Sequence, residues 1–364
     1  MPTTDELATK LARVRALMDE QGVAALWLRR VENVGWITGG VDVAVNTAAA
    51  FGVASVVITR DACTLWTDTI EAPRLRAEDR LEERGFAFHV APWYAPGERP
   101  PGDPLAVDAP LPGAVDLSGP LTALRARLLP VEQDRFRTLA VNCADAMQRA
   151  ALRVSPGMSE AEAAAALSYE TRRYNINPIV VLVAADERVY HVRHPLPTAK
   201  IIDRYAMLVL CGRQHGLVCS VTRLVHFGAL PDDLRRKMDA CAEVDAAMLV
   251  ASQPGATLGE IFRVTQDAYA RAGFDGEWKL HHQGGVAGYT AREVLATPDE
   301  PLTLETGMIC AWNPSITGTK SEDSVLVRAS GQAPEVLTAM YGWPTRTVTV
   351  DGHALERPLI MEVS

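Results

Sequence analysis

Apolar side chains recur at helical spacing over residues 5–21, and "VAALWLRRVENVGWITGG" reads as an apolar strand, a polar turn and a second strand. "FGVASVVITRDACTLWTD" alternates as a hairpin turning at Arg60-Asp61, "EAPRLRAEDRLEERG" reads as a charged surface helix, and "FAFHVAPWY" as a strand. The stretch "APGERPPGDPLAVDAPLPGAVDLSGP" breaks every period with proline and glycine and reads as loop or linker. A boundary is expected there, dividing the chain into an N-terminal domain over 1–127 and a C-terminal domain over 128–364.

Beyond the boundary the pattern repeats. A long helix, "VEQDRFRTLAVNCADAMQRAALRV", leads through Pro156-Gly157 into a second, "SEAEAAAALSYETRRY", with acids in its first turn where the helix dipole favours them. Strands follow at "PIVVLVAA" and, as a paired set, "YAMLVLCGRQHGLVCSVTRLVHFG". "PDDLRRKMDACAEVDAAMLVAS", Pro254-Gly255 and "TLGEIFRVTQDAYARAG" restate the motif at an offset of 98, before strands at "TGMICAWNPSI" and "KSEDSVLVRAS". A duplicated helix–Pro-Gly–helix–strand unit implies two pseudo-equivalent halves, with a site expected in the groove between them.

Apolar residues make up 48% and charged residues 22% of the 364, the balance of an ordinary globular chain long enough for two domains. A net charge of −9, without a basic run, argues against nucleic-acid or anionic-membrane partners. The first helix carries acids from its fifth residue and lacks the apolar core of a signal peptide; "PIVVLVAA" is too short to span a bilayer. Six cysteines, none in a CxxC, read as free thiols, so a cytoplasmic setting is expected.

"HHQGGVAGYTAREV", residues 281–294, has the look of an active-site floor: adjacent histidines, a glycine-rich bend, an Arg-Glu pair. Together with "LLPVEQDRFR", "SPGMSEAEAAAAL", "HVRHPLPTAKII", "SVTRLVHFG", "LETGMICAWNPS" and "KSEDSVLV" it resembles the creatinase/aminopeptidase P family. "VENVGWITGG" is similar to a strand in that family's smaller domain. The resemblance implies an α/β (α+β) architecture: a small creatinase-like α/β domain followed by a pita-bread domain with a pseudo-two-fold repeat, the fold shared with prolidase and methionine aminopeptidase.

Most of the family holds two divalent metals on two Asp, one His and two Glu, a set that turns water into hydroxide near neutral pH. Here "SVTR" puts Ser220 where the second Asp is expected; the first falls between Val209 and Cys211, and residues 204–230 contain no Asp or Glu at all. Gly285 aligns with the ligand His and Asn313 with the first Glu, leaving Glu322 in "KSED". A metal-free branch is therefore expected, with no metal and no cofactor. A rebuilt soft-metal site on Cys211, Cys219, His215 and His281 is an alternative.

His194 matches a substrate-binding His of the family and the position where metal-independent creatinase resembles having its base; an imidazole suits that task near neutral pH. The plainer alternative is packing beside Pro195, with His191 on another face or exposed. His281 matches a substrate-contact position, and His282 is adjacent support. Arg292 resembles creatinase's Arg-Glu and lies 98 residues after His194, so the two are expected to face each other; an Arg on a solvated turn is the alternative. Glu293 and Asp323 read as structural.

The expected function is metal-independent hydrolysis of a C–N bond in a small anionic or zwitterionic, carboxylate-bearing substrate. His194, Glu322 and Arg292 would be catalytic, and His281, His282, Asn313 and Ser220 would bind substrate. Two alternatives stay open: a non-catalytic descendant binding a ligand or partner, and a metal-free lyase or cyclase using the same cleft. By the resemblance, a homodimer is expected, with "VDVAVNTAAAFG" reaching the partner's cleft.

Overall fold

The computed structural model describes residues 4–95 and 97–364; Met1–Thr3, at the head of the first expected helix, and Pro96, in the expected linker, lie outside the described residues. The chain divides into two compact units, one reaching Val131 and the other holding most of the remainder.

The first unit opens with helix α1 (Thr4–Glu20), then β1 (Ala25–Arg30), α2 (Val31–Ile37), β2 (Phe51–Thr59), β3 (Cys63–Asp68), α3 (Ala72–Ala77), β4 (Ala87–Ala91), β5 (Leu105–Val107), β6 (Val115–Asp116) and α4 (Ser118–Arg125). Six strands form one mixed sheet in the order β4-β3-β2-β1-β5-β6. The hairpin turning at Arg60-Asp61 is present, pairing Ile58 with Cys63.

Three local expectations change. The second strand in "VENVGWITGG" is the helix α2, whose junction with β1 is held from far along the chain. Asp108 Oδ2 accepts the backbone N–H groups of Arg29 and Arg30 at 2.8 Å and the amide of buried Asn33 at 3.1 Å. The charged helix shrinks to α3. The Pro/Gly-rich stretch is not all loop: Leu105–Val107 is fully buried and pairs in parallel with β1, an apolar triplet too short to stand out between prolines.

The second unit begins with α5 (Pro130–Ala151), α6 (Glu160–Arg172), β7 (Asn177–Ala185), α7 (Glu187–His191), β8 (Tyr205–Gln214) and β9 (Leu217–Phe227). It continues with α8 (Asp232–Ala251), α9 (Leu258–Arg271), β10 (Gly284–Ala287), β11 (Val294–Leu295), β12 (Ile309–Trp312), β13 (Ser315–Ile316), β14 (Thr319–Lys320), β15 (Asp323–Leu326) and β16 (Glu335–Val336). A hairpin of β17 (Thr345–Val350) and β18 (His353–Pro358) and the strand β19 (Met361–Val363) close the chain.

The repeat is visible bond by bond. Gly157 and Gly255 sit at φ +92° and +93°, the left-handed turn that glycine adopts without strain. Their N–H groups donate to Ile202 O and Leu304 O, both at 2.9 Å. Ser159 and Thr257 each close a capping box, with Glu162 and Glu260 reaching back. The same two capping residues make isolated bridges to Ile201 and Thr303. Each half contributes a sheet: β19-β9-β8-β7 from the first and β11-β10-β12-β15-β16 from the second. The bridge between Thr222 and Glu322 joins them.

β8 and β9 are buried almost throughout, which accounts for their near-continuous apolar sequence. All six cysteines are buried free thiols. No helix among the described residues is long and apolar enough to cross a membrane.

Candidate active site

The seam where the two sheets meet fixes the chemistry. Side chains alternate along a strand, so residues two apart share a face. On one face of the seam Thr222 donates to Glu322 Oε2 at 2.5 Å. On the other, Arg223 pairs with Asp323 at 2.8 Å, and Asp323 also meets Arg357, which pairs with Asp245 at 2.7 Å. That second cluster is buried among the helices and holds the C-terminal hairpin to the sheet, so Asp323 is a structural acid. Glu293 accepts the backbone N–H of Tyr289 at 2.8 Å.

On the cleft face, Glu322 is 3% exposed and meets two cations: Arg292 Nη2 at 2.9 Å from Oε1, and Lys320 Nζ at 2.9 Å from Oε2. Burial works against its charge, but Lys320 and Arg292 outweigh it and hold the carboxyl well below the usual range. Arg292 Nη1 donates to Ser220 Oγ at 3.1 Å and to its neighbour Ala291 O at 2.6 Å. Its terminal nitrogens thus point at Glu322 and the seam, and its buried Nε makes no hydrogen bond within the protein. Ser220 Oγ lies 3.3 Å from Cys211 Sγ, so of the residues from Val209 to Cys211 it is Cys211 whose side chain faces the Ser220 position.

A second group of side chains stands beside this triad. His194 follows α7 in an irregular segment pinned on both sides: Arg193 pairs with Glu277 at 3.2 Å, and Val183 N–H donates to Pro195 O at 3.1 Å. Glu277 opens the short 3-10 turn that ends at His281, so this ion pair draws the two histidine segments together. His194 Nε2 lies 3.1 Å from His281 Nε2, and the His281 and His282 rings stack at 4.3 Å. His194 is exposed, His281 buried, His282 half-buried. His191 is exposed, as expected.

Burial, then Lys320, depress all three imidazoles, with Arg292 acting before Lys320 on His282. His281 falls to about 3, His282 to about 4, and His194 below its ordinary value despite the opposing charge of Glu322. The cleft therefore holds neutral imidazoles next to two fixed cations and one anion. Asn313 is buried after β12 with its side-chain oxygen unpartnered, as are the Nδ1 atoms of His281 and His282. Unpaired buried polar atoms are costly, and here they gather in one place.

The residues do not fit two divalent ions. Cys211, Ser220, Gly285 and Asn313 offer no carboxylate or imidazole, and the one carboxylate is already neutralised by Arg292 and Lys320. Nor are Cys211, Cys219, His215 and His281 gathered: Cys211 turns to Ser220 and Cys219 to Ser324. Among the described residues, His194, His281 and His282 are the group whose potential ligand atoms come within 4.8 Å of one another.

The structure thus brings together Ser220, Arg292 and Glu322 as one network, and His194, His281 and His282 as another. The offset of 98 drifts to 102 between the capping residues and the strand pairs, so repeat arithmetic does not make His194 and Arg292 equivalent. Sequence reasoning missed Lys320 and Thr222. Lys320 was legible: it stands two positions before Glu322 in a strand-like run, on the same face.

A profile described as metallopeptidase family M24 matches residues 134–329, and one for the creatinase/prolidase N-terminal domain matches 10–103. The first spans more than half the chain, which belongs to the M24 family of creatinase, prolidase and aminopeptidase P. The prolidase of Pyrococcus horikoshii OT3 superposes with a TM-score of 0.77 at 18% identity, over 91% of this chain and 98% of that one. The agropine synthesis cyclase of Rhizobium rhizogenes is 31% identical over 156 residues, 40% of this chain and 39% of that protein. The Xaa-Pro dipeptidase of Lactobacillus helveticus is 27% identical over 146 residues, 38% of this chain and 39% of that protein. Both matches span well under half of those relatives' length.

Proposed function

We propose that the chain is a metal-independent hydrolase of a C–N bond in a small, carboxylate-bearing, amino-acid-like substrate, with His194 as general base. The observation that carries this reading is the exchange of the family's acidic ligand set for neutral groups and two cations, beside an exposed imidazole kept neutral. With His194 Nε2–H donating to His281, its Nδ1 lone pair takes a proton from water. The water oxygen attacks the carbon, the C–N bond breaks, and the proton passes to the leaving nitrogen. Arg292 and Lys320 set the positive potential for the carboxylate, while Ser220, His282 and Asn313 line the substrate's path. Glu322 fixes the two cations.

The test is turnover of small N-substituted amino acids in the presence of a chelator, with elemental analysis of the same preparation. Undiminished turnover and no stoichiometric metal are expected. Activity abolished by the chelator and restored by a divalent ion would sink the reading.

A base needs a neutral imidazole. Because the His194 value is lowered, kcat/KM should reach half its plateau only at a pH below 6.5. A pH profile with its acid limb above 6.5 would assign the base elsewhere.

The cyclase relative supports a second reading: the same base deprotonates the substrate's own nucleophile and closes a ring. Reaction in isotope-labelled water separates the two, since hydrolysis places the label in the product and ring closure does not.

A further inference from the structure

Lys320 is the feature of the cleft without a counterpart in the family's ligand set. Its ammonium is 6% exposed and sits 2.9 Å from Glu322 Oε2, on the carboxylate edge opposite the one taken by Arg292. Two cations on one carboxylate leave a net positive charge in a low-dielectric setting, where it acts strongly on anything that enters. Lys320 ends β14, and Glu322 bridges to Thr222 immediately before β15, so both are held by paired backbone rather than borrowed from a mobile loop. Beside it stand three imidazoles whose ligand atoms lie within 4.8 Å of one another, a donor set that without a neighbouring cation would attract a transition metal.

We propose that Lys320 takes over the positive charge that divalent ions supply elsewhere in the family, and that it keeps the His194–His281–His282 cluster free of metal. The proposal rests on the metal-independent reading above. It also assigns Lys320 the task of drawing the substrate's carboxylate, or the oxyanion formed as water adds, toward the seam. Its charge bears on all three imidazoles, lowering each.

The experiment compares wild type, Lys320→Met, Lys320→Gln and Lys320→Arg after incubation with Co2+ and desalting, reading bound cobalt and its visible absorption. Glu322 keeps Arg292 and Thr222 as partners in every variant, so all four should fold, as thermal melts will verify. Wild type and Lys320→Arg should retain none. Lys320→Met and Lys320→Gln should bind one ion per chain, on the order of a hundredfold tighter, for removal of a nearby like charge. Adding His281→Ala should abolish that binding. If neither wild type nor the neutral variants retain cobalt, the assignment of Lys320 fails while the metal-independent reading stands. Wild type retaining cobalt as tightly as Lys320→Met overturns both.

Discussion

His194→Asn should lower turnover by about a hundredfold or more, the effect of losing a general base, and leave the fold intact. The imidazole is exposed and its hydrogen-bond partner is His281, so its removal opens no core cavity. The other titratable groups nearby are poorly placed for the task. Glu322 is held ionised by two cations and buried against Thr222, which makes it a weak base near neutral pH. His281 is buried and depressed to about 3, leaving it still less basic than His194. Stopped assays on the purified variant decide the matter: wild-type rates would remove His194 from the mechanism and shift the weight to a ligand-binding protein.

Glu322→Ala has the largest expected effect on stability, a loss of about 3–5 kcal/mol. The substitution leaves Arg292 and Lys320 buried side by side with no counter-charge, at 10% and 6% exposure. Removing one cation instead, as in Lys320→Met, leaves an intact Arg292–Glu322 pair and should cost far less. Urea unfolding of the two variants measures the contrast. Equal losses would show that Glu322 is held by shape rather than by charge.

The sequence carried the second unit well and the first unit less well, for a physical reason. The Pro-Gly turns, the capping boxes and the long helices are local devices, each readable from a few adjacent residues. Helix α2 and strand β5 depend on each other's region instead: Asp108 holds the β1–α2 junction at Arg30 from 78 residues away, and Leu105–Val107 acquires its strand by lying against β1. No window of local pattern contains both partners. The candidate site divides in the same manner. Ser220, Arg292, Glu322, His194 and His281 were each singled out by position in the sequence, and they lie in the two networks described above. The engagement of Arg292 with Glu322 and Ser220 was not legible, because it follows from which way a side chain turns at the seam. The ion pair between Arg193 and Glu277 escaped for a similar reason, being a contact across 84 residues.

Gly285 bears on whether the proposed change of chemistry could be undone. At Ser220 and Asn313 an acid can be written back by a single substitution. At Gly285 it is not so simple. A Cβ there would meet the carbonyl oxygen of Val294 at 2.0 Å, the Ala296 nitrogen at 2.9 Å and the Leu295 Cα at 3.0 Å, all of them backbone. The residue is paired on both sides, with Leu295 and with Ala311, so no rotamer relieves the clash. A histidine at this position requires β10 and β11 to move apart first. If the chain works without metal as proposed, this closure acts as a ratchet: the backbone occupies the place an imidazole would need, and a return to metal chemistry would require rebuilding a strand before regaining a ligand.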